Sequence, residues 1–315
     1  MIKVIVTGIN GFSGRHFVKF LTSIADISVL GIDLKIDPGT EGYELDLRNP
    51  VGLAGILAKE KPDCLVHLAG VNKSERFRDF YEGNVFTTIH ILEGLVAAGM
   101  FDTKILLISS SAVYGRSKIK KVNERTVVIP VNYYGSSKLA MENVALKFIE
   151  NHNLMIRIAR PFNLIGPGQS TEFALPSFIR QLCEIKYLDK PPLIRTGNLD
   201  GKRDFLDVTD AVTAYWKILN QGKTGEIYNI GSGLAVSISD VLEKLILAMD
   251  LKVEHKIDKA RIQQNRIEEL ASDSSKLESL GWKPEKSLDE TLKEMITYYE
   301  QNYLTDKPEN PAGDR

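Results

Sequence analysis

The chain has 315 residues, of which 43% are hydrophobic and 26% charged, with a formal net charge of −1. That is enough to bury a sizeable core, in two lobes or in one large α/β unit. The balance excludes a global basic field for nucleic acid or a membrane surface, and no apolar run approaches the ~20 residues that span a bilayer. Any anionic ligand must therefore be held by local features.

The opening MIKVIVTG predicts a strand over residues 3–8; it is too short for a signal peptide and lacks a small-residue cleavage site. Further strands are predicted at 28–33, 64–70, 104–110 and 154–160. Helix-period segments separate them at 14–24, 51–59, 84–98 and from about 134 to 150. Short β-branched runs alternating with helices predict an α/β fold, a Rossmann-type parallel sheet with helices on both faces. Cys64 sits in an apolar strand as a small buried hydrophobe. It and Cys183 form no paired motif, which fits a reducing cytoplasm.

Beyond Arg160 the texture changes. RPFNLIGPGQ is dense in Pro, Gly and Asn and predicts a loop leaving the sheet. A helix over 175–184, a break at Pro191 and Pro192 and a strand in PLIRTG follow. DFLDVTDAVTAYWKILN reads as a capped helix, with Asp207 or Thr209 as the cap and Asp210 in its first turn. EIYNIGSG reads as a strand, SISDVLEKLILAMD as an amphipathic helix, and the tail TDKPENPAGDR, without an apolar anchor, as disordered. There is no internal repeat.

VTGINGFSGR places Gly8, Gly11 and Gly14 between the first strand and the first helix. Glycines there permit a tight turn and let a diphosphate approach the amides at a helix N-terminus. Asp33 closes the second strand 19 residues after Gly14, where a carboxylate can take the ribose hydroxyls of a dinucleotide. It favours NAD because it would repel a 2′-phosphate, while Lys35 nearby could pair with one, so NADP is the second choice. Tyr134 and Lys138, four apart, lie on one face of a helix. A lysine beside a phenol favours the phenolate and lowers the tyrosine pKa, suiting it to shuttle a proton at neutral pH. ISSSAVYG sets serine hydroxyls where the fourth strand ends, and ligands of such sheets bind at those ends. Of that run, Ser109 reads as capping or loop chemistry.

In sequence order TGINGFSGRH, HLAG, SSSAVYG, YYGSSK and RPFN resemble the landmarks of the extended short-chain dehydrogenase/reductases that modify nucleotide sugars. The resemblance runs from residue 1 to about 300. It implies Tyr134 as acid/base, Lys138 as the ribose-holding partner that tunes it, and Ser110 on the substrate oxygen, with Ser111 the close runner-up. It sets Asp46 and Leu47 at the adenine, and Phe12, Ser13, Leu68, Ala69, Gly70 and Pro161 along the cofactor. The second half is most similar to the GDP-4-keto-6-deoxy-D-mannose reductases, which implies Asn163 and Arg203 at the substrate diphosphate, with Arg261 or Arg266 from the far side. Implied too is a division of the chain: 1–163 for the cofactor, with returning segments near 204–232 and 288–304, and 164–203 with 233–287 for the nucleotide sugar. A cytoplasmic homodimer through the helices at 84–98 and 134–150 completes the picture.

The expected reaction is reduction of a nucleotide 4-keto-6-deoxy sugar, with Tyr134 as proton donor. An NAD-dependent nucleotide-sugar 4-epimerase shares every one of these residues. A 4,6-dehydratase resembles STDEVYG, with acidic residues where Ser111 and Ala112 stand here, and a 3,5-epimerase-reductase needs an added acid/base pair. A non-catalytic dinucleotide sensor typically loses the tyrosine or the lysine. ARIQQNRIEELASD lacks the Arg-Pro pair of these reductases, which leaves the base open.

Overall fold

The computed structural model describes residues 1–258 and 269–305; Arg261, Arg266 and the tail from 306 lie outside them. The first strands are β1 (Ile2–Thr7), β2 (Ile27–Asp33), β3 (Gly42–Glu44), β4 (Cys64–His67) and β5 (Lys104–Ile108). Then come β6 (Lys121–Val122), β7 (Met155–Pro161), β8 (Asn163–Ile165), β9 (Leu193–Thr196) and β10 (Lys202–Asp207). The last are β11 (Ile227–Ile230), β12 (Ala235–Ser237), β13 (Glu254–Ile257) and β14 (Glu269–Ser272). The helices of the first half are α1 (Phe12–Leu21), α2 (Pro50–Glu60), α3 (Phe77–Phe80), α4 (Thr87–Ala97) and α5 (Tyr133–His152). The second half adds α6 (Ala174–Leu188), α7 (Val208–Gln221), α8 (Ile238–Ala248), α9 (Ser275–Glu278) and α10 (Leu288–Thr305).

Seven strands form one parallel sheet in the order β3, β2, β1, β4, β5, β7, β11. Side chains alternate across it. Val4, Val6, Val66 and Leu106 pack on one face with Phe17 and Leu21 of α1 and Tyr215 and Ile218 of α7. Ile5, Leu65, Ile105 and Leu107 pack on the other with Leu53 of α2, Ile91 and Leu95 of α4 and Met141 of α5. Both faces are covered, which is why these strands read as apolar runs. The chain leaves β1 for β2 on one side and β4 for β5 on the other. The crevice where the connections part is the ligand position of doubly wound sheets.

A separate core joins Leu175, Phe178 and Leu182 of α6, Val241 and Leu245 of α8, and Leu292 and Met295 of α10. The buried residues of α10 thus belong with α6 and α8, not with the cofactor side where a returning segment near 288–304 was expected. β8 and β14 pair with β10 in parallel and β12 in antiparallel sense, and β9 pairs with β13. The predicted loop after Arg160 is therefore partly strand. Phe205 lies opposite Asn163, a pairing over forty residues that local Pro and Gly content does not foretell. The predicted helix at 84–98 begins earlier, as α3 and a π-helical turn at Tyr81–Phe86 that runs into α4. Among the described residues no helix is long and apolar enough to cross a membrane.

Candidate active site

At the crevice lies a cavity of about 940 Å³, at the upper end of the range for sites that take a cofactor or other small molecule. Gly8, Gly11, Phe12, Ser13 and Gly14 form one wall, and Leu68 and Gly70, just past β4, lie beside them. Gly8 has φ +69°, and a Cβ there would sit 2.6 Å from Ala69 N. A Cβ on Gly14 would sit 2.2 Å from the Gly8 carbonyl oxygen. The turn can close only with glycine at both places. Gly11 is the N-cap of α1 and no side chain caps that helix, so its first-turn amides are left for an anion. These residues fit a dinucleotide diphosphate.

Tyr134, Lys138 and Ser110 all line the cavity. α5 brings the first two in, and its start is set by Asn132, whose side chain accepts from Gly135 N at 2.8 Å. Lys138 is buried and its Nζ donates to Ile108 O at 2.8 Å, at the end of β5. Burial pulls its pKa down to about 8, although the Glu142 carboxylate opposes the fall. Burial pushes the Tyr134 phenol above its ordinary value, and a hydrogen bond with Ser110 draws it part of the way back. The lowering expected from the lysine is thus replaced by a rise on burial, and Tyr134 is a protonated donor near neutral pH. Ser110 also caps the short turn Ser111–Val113, accepting from Ala112 N at 3.1 Å. Ser111 is buried in that turn and does not line the cavity. Ser109 departs from its expected capping role: its hydroxyl donates to Glu142 Oε1 at 2.5 Å.

Two supporting residues escaped the sequence reading. Asn84, buried in the π-helical turn, donates to Val71 O and to Ser137 Oγ, each at 2.9 Å, and accepts from Val71 N. It ties the loop after β4 to the residue preceding Lys138. Glu142, one turn beyond Lys138, receives Arg160 Nε at 2.9 Å and Nη2 at 2.6 Å. Arg160 Nη1 donates to the Tyr114 hydroxyl at 3.0 Å, which donates to Asn229 Oδ1 at 2.6 Å. The signals were present: an amide opening an apolar helical run, and a carboxylate continuing the four-residue spacing of Tyr134 and Lys138.

Asp33, Asp46, Leu47 and Ala69 lie off the cavity wall. Asp33 accepts from Asn10 N at 2.9 Å and Leu34 N at 2.8 Å, and so stays at the β2 end beside the glycine turn. Asp46 is gripped by Arg48, at 2.6 Å from Nη2. Leu47 is a core residue whose carbonyl pairs with His90 Nδ1 at 2.9 Å. Pro161, Asn163 and Arg203 line the cavity, and Asn163 Nδ2 donates to Asp204 O at 3.1 Å. Asp204 itself is buried and accepts from Ser232, Gly233 and Ser272. Asp207, not Thr209, caps α7.

The profile of the family described as GDP-mannose 4,6 dehydratase matches residues 5–295. The chain belongs to this family. The GDP-6-deoxy-D-mannose reductase of Pseudomonas aeruginosa is 32% identical over 305 residues, 95% of this chain and 97% of that one. The solved structure of RMD from Pseudomonas aeruginosa, complexed with NADPH, has a TM-score of 0.86 at 30% identity, over 96% of this chain and 100% of that chain. UDP-glucuronic acid 4-epimerase from Bacillus cereus, solved with UDP-glucuronic acid and NAD, has a TM-score of 0.84 at 27% identity, over 96% and 100%. As a member of the family of extended short-chain dehydrogenase/reductases, the chain is an NAD(P)-dependent enzyme.

Proposed function

We propose that the enzyme reduces a nucleotide-linked 4-keto-6-deoxy sugar, of the GDP-4-keto-6-deoxy-mannose kind, at carbon 4. The observation that carries the reading is the acid–base make-up of the cavity. Among its described lining residues the one carboxylate is Glu172, which pairs with Lys73 at 3.1 Å. Loss of water from a sugar, the dehydratase reaction, needs an acid and a base at the reacting carbons besides the tyrosine. Here Ser111 and Ala112 follow the hydroxyl instead. What remains is one protonated phenol with a serine and a lysine, sufficient for a reduction or an epimerisation at carbon 4, and the likeness to a GDP-6-deoxy-D-mannose reductase supports reduction.

A reduced nicotinamide, when bound, supplies hydride to carbon 4. Tyr134 gives its proton to the oxygen of that carbon, Ser110 hydrogen-bonds the same oxygen, and Lys138 holds the nicotinamide ribose and compensates the forming phenolate. Asn163 and Arg203 take the substrate diphosphate, with Arg261 from the far side, because a guanidinium fork matches phosphate oxygens. Asp33, with Asp46 and Leu47 beyond it, serves the adenosine end and favours NAD over NADP. Residues 1–163, with the returning segment near 204–232, serve the cofactor and 164–203 with 233–287 the sugar nucleotide. The enzyme works as a homodimer in the cytoplasm, where Cys64 and Cys183 stay reduced.

The test is consumption of NADH or NADPH on addition of GDP-4-keto-6-deoxy-mannose: one equivalent per sugar is expected, and Tyr134→Phe should lose about 100-fold or more in kcat. Asp33 and the likeness to an NAD-bound 4-epimerase favour a second reading, a nucleotide-sugar 4-epimerase. Interconversion of 4-hydroxy epimers without net cofactor oxidation would establish it. A Tyr134→Phe variant with full turnover would sink both.

A further inference from the structure

We propose that Asp37 is a specificity residue, holding Arg15 in an ion pair and so masking a site for the 2′-phosphate of NADP. The inference deepens the cofactor reading above, on which the location of the adenosine ribose rests. Arg15 follows Gly14 directly and stands in the first turn of α1. Its Nε and Nη2 both donate to Asp37 Oδ2, at 3.2 and 3.0 Å. Asp37 lies four residues past Asp33 in the loop after β2.

That loop is tied to the glycine turn at two points: Asn10 N donates to Asp33 Oδ2 and Asn10 Nδ2 to Lys35 O at 2.6 Å. Leu34 N donates to Asp33 Oδ1 within the loop, and Glu44 Oε1 holds it from β3, accepting from Ile36 N at 3.2 Å. The rim where a dinucleotide presents its adenosine ribose is thereby fixed, with Arg15 and Asp37 facing each other across it. In doubly wound folds a carboxylate at the β2 end takes the ribose hydroxyls, and an arginine nearby accommodates a 2′-phosphate. This chain carries both devices, and Asp37 occupies the second.

The pair is weak in itself. Both side chains are largely in water, 61% and 46% exposed, and an exposed pair contributes little to stability. Only one carboxylate oxygen engages the guanidinium, where a phosphate could take the fork with two. Two negative charges, Asp33 and Asp37, still stand against an incoming 2′-phosphate. Removing the Asp37 charge alone releases Arg15 and halves the repulsion.

The experiment measures dissociation constants of NADH and NADPH, by quenching of protein fluorescence, for the wild type, Asp37→Asn, Arg15→Gln and the double variant. Asp37→Asn should bind NADPH about tenfold more tightly, the scale of one charge-assisted hydrogen bond, and NADH within about twofold of wild type. Arg15→Gln added to it should remove most of the gain, leaving the part due to the lost carboxylate charge. An unchanged NADPH affinity in Asp37→Asn overturns the proposal, as does a gain that survives loss of Arg15 in full, which would be charge removal alone. The wild-type preference is a separate reading: tighter NADPH than NADH there refutes NAD selection by Asp33, while the Asp37→Asn shift still decides the role of Asp37.

Discussion

Lys138 sits where two demands conflict. It is buried against the end of β5, which pulls its pKa down to about 8, below the 10.5 of a lysine in water. Below pH 8 it is charged in both folded and unfolded chains, and the folded state bears the full desolvation. Between about 8 and 10.5 the unfolded chain holds the proton and the folded one does not, so this group makes stability rise with pH through that window. Lys138→Met should therefore stabilise the protein near pH 7 by about 2 kcal/mol, the burial penalty less one lost hydrogen bond, while abolishing turnover. Urea unfolding near pH 7 and near pH 10.5 checks this: the advantage should shrink at the higher pH, and an equal gain at both would place the effect elsewhere. That Ser110, Tyr134 and Lys138 line one cavity was legible because their spacing is local, on one helix and one strand end. Ser110 was already preferred to Ser111 there, and the turn geometry agrees, since the Ser110 hydroxyl bonds to Tyr134 while Ser111 lies off the cavity. Asn84 and Glu142 escaped because their partners Val71, Ser137 and Arg160 are brought together by packing.

α5 is the element on which the site depends most. Its N-cap, Asn132, stands two residues before Tyr134 and accepts from the amide of Gly135, the residue after it, so the cap fixes where the phenol stands as well as where the helix begins. Asn132→Ala should cost about 1 kcal/mol in urea unfolding and lower kcat more than it raises KM, because the tyrosine is displaced while the diphosphate contacts are not. A loss in KM alone would contradict that assignment. Most elements of the parallel sheet were predicted with small shifts at their ends, since strands buried on both faces are continuous apolar runs and amphipathic helices keep their period. β8, β10 and the π-helical turn were missed. Short strands paired across forty residues have no periodicity of their own, and a π-turn leaves the same apolar spacing as an α-helix over one turn.

At the scale of the molecule, α4 and α5 present a groove in which Ile89, Val144 and Phe148 lie among Glu93, Lys147 and His152. The proposed homodimer would pack there. Light scattering should find the wild type at twice the mass of the chain and Phe148→Glu at the mass of one, since a buried unpaired carboxylate is costly in an apolar interface. A Phe148→Glu protein that remains dimeric would move the interface to another face. The apolar stripe of α10 packs on α6 and α8, where the sequence led us to expect it back against the cofactor side.

What the amino-acid order determined unaided was the α/β class, the glycine cradle and the Tyr134–Lys138 pair, all features carried by neighbours within a few residues. Tertiary structure alone decided that burial raises the pKa of the phenol instead of lowering it, that Asn84 and Glu142 brace the lysine's helix, and that Arg15 is held by Asp37. Each of these depends on distance and desolvation between segments remote in sequence, quantities that residue spacing does not contain. For the same reason Ser110, Tyr134 and Lys138 suit reductase and epimerase alike, and the carboxylate-poor cavity around them speaks only against loss of water from the sugar.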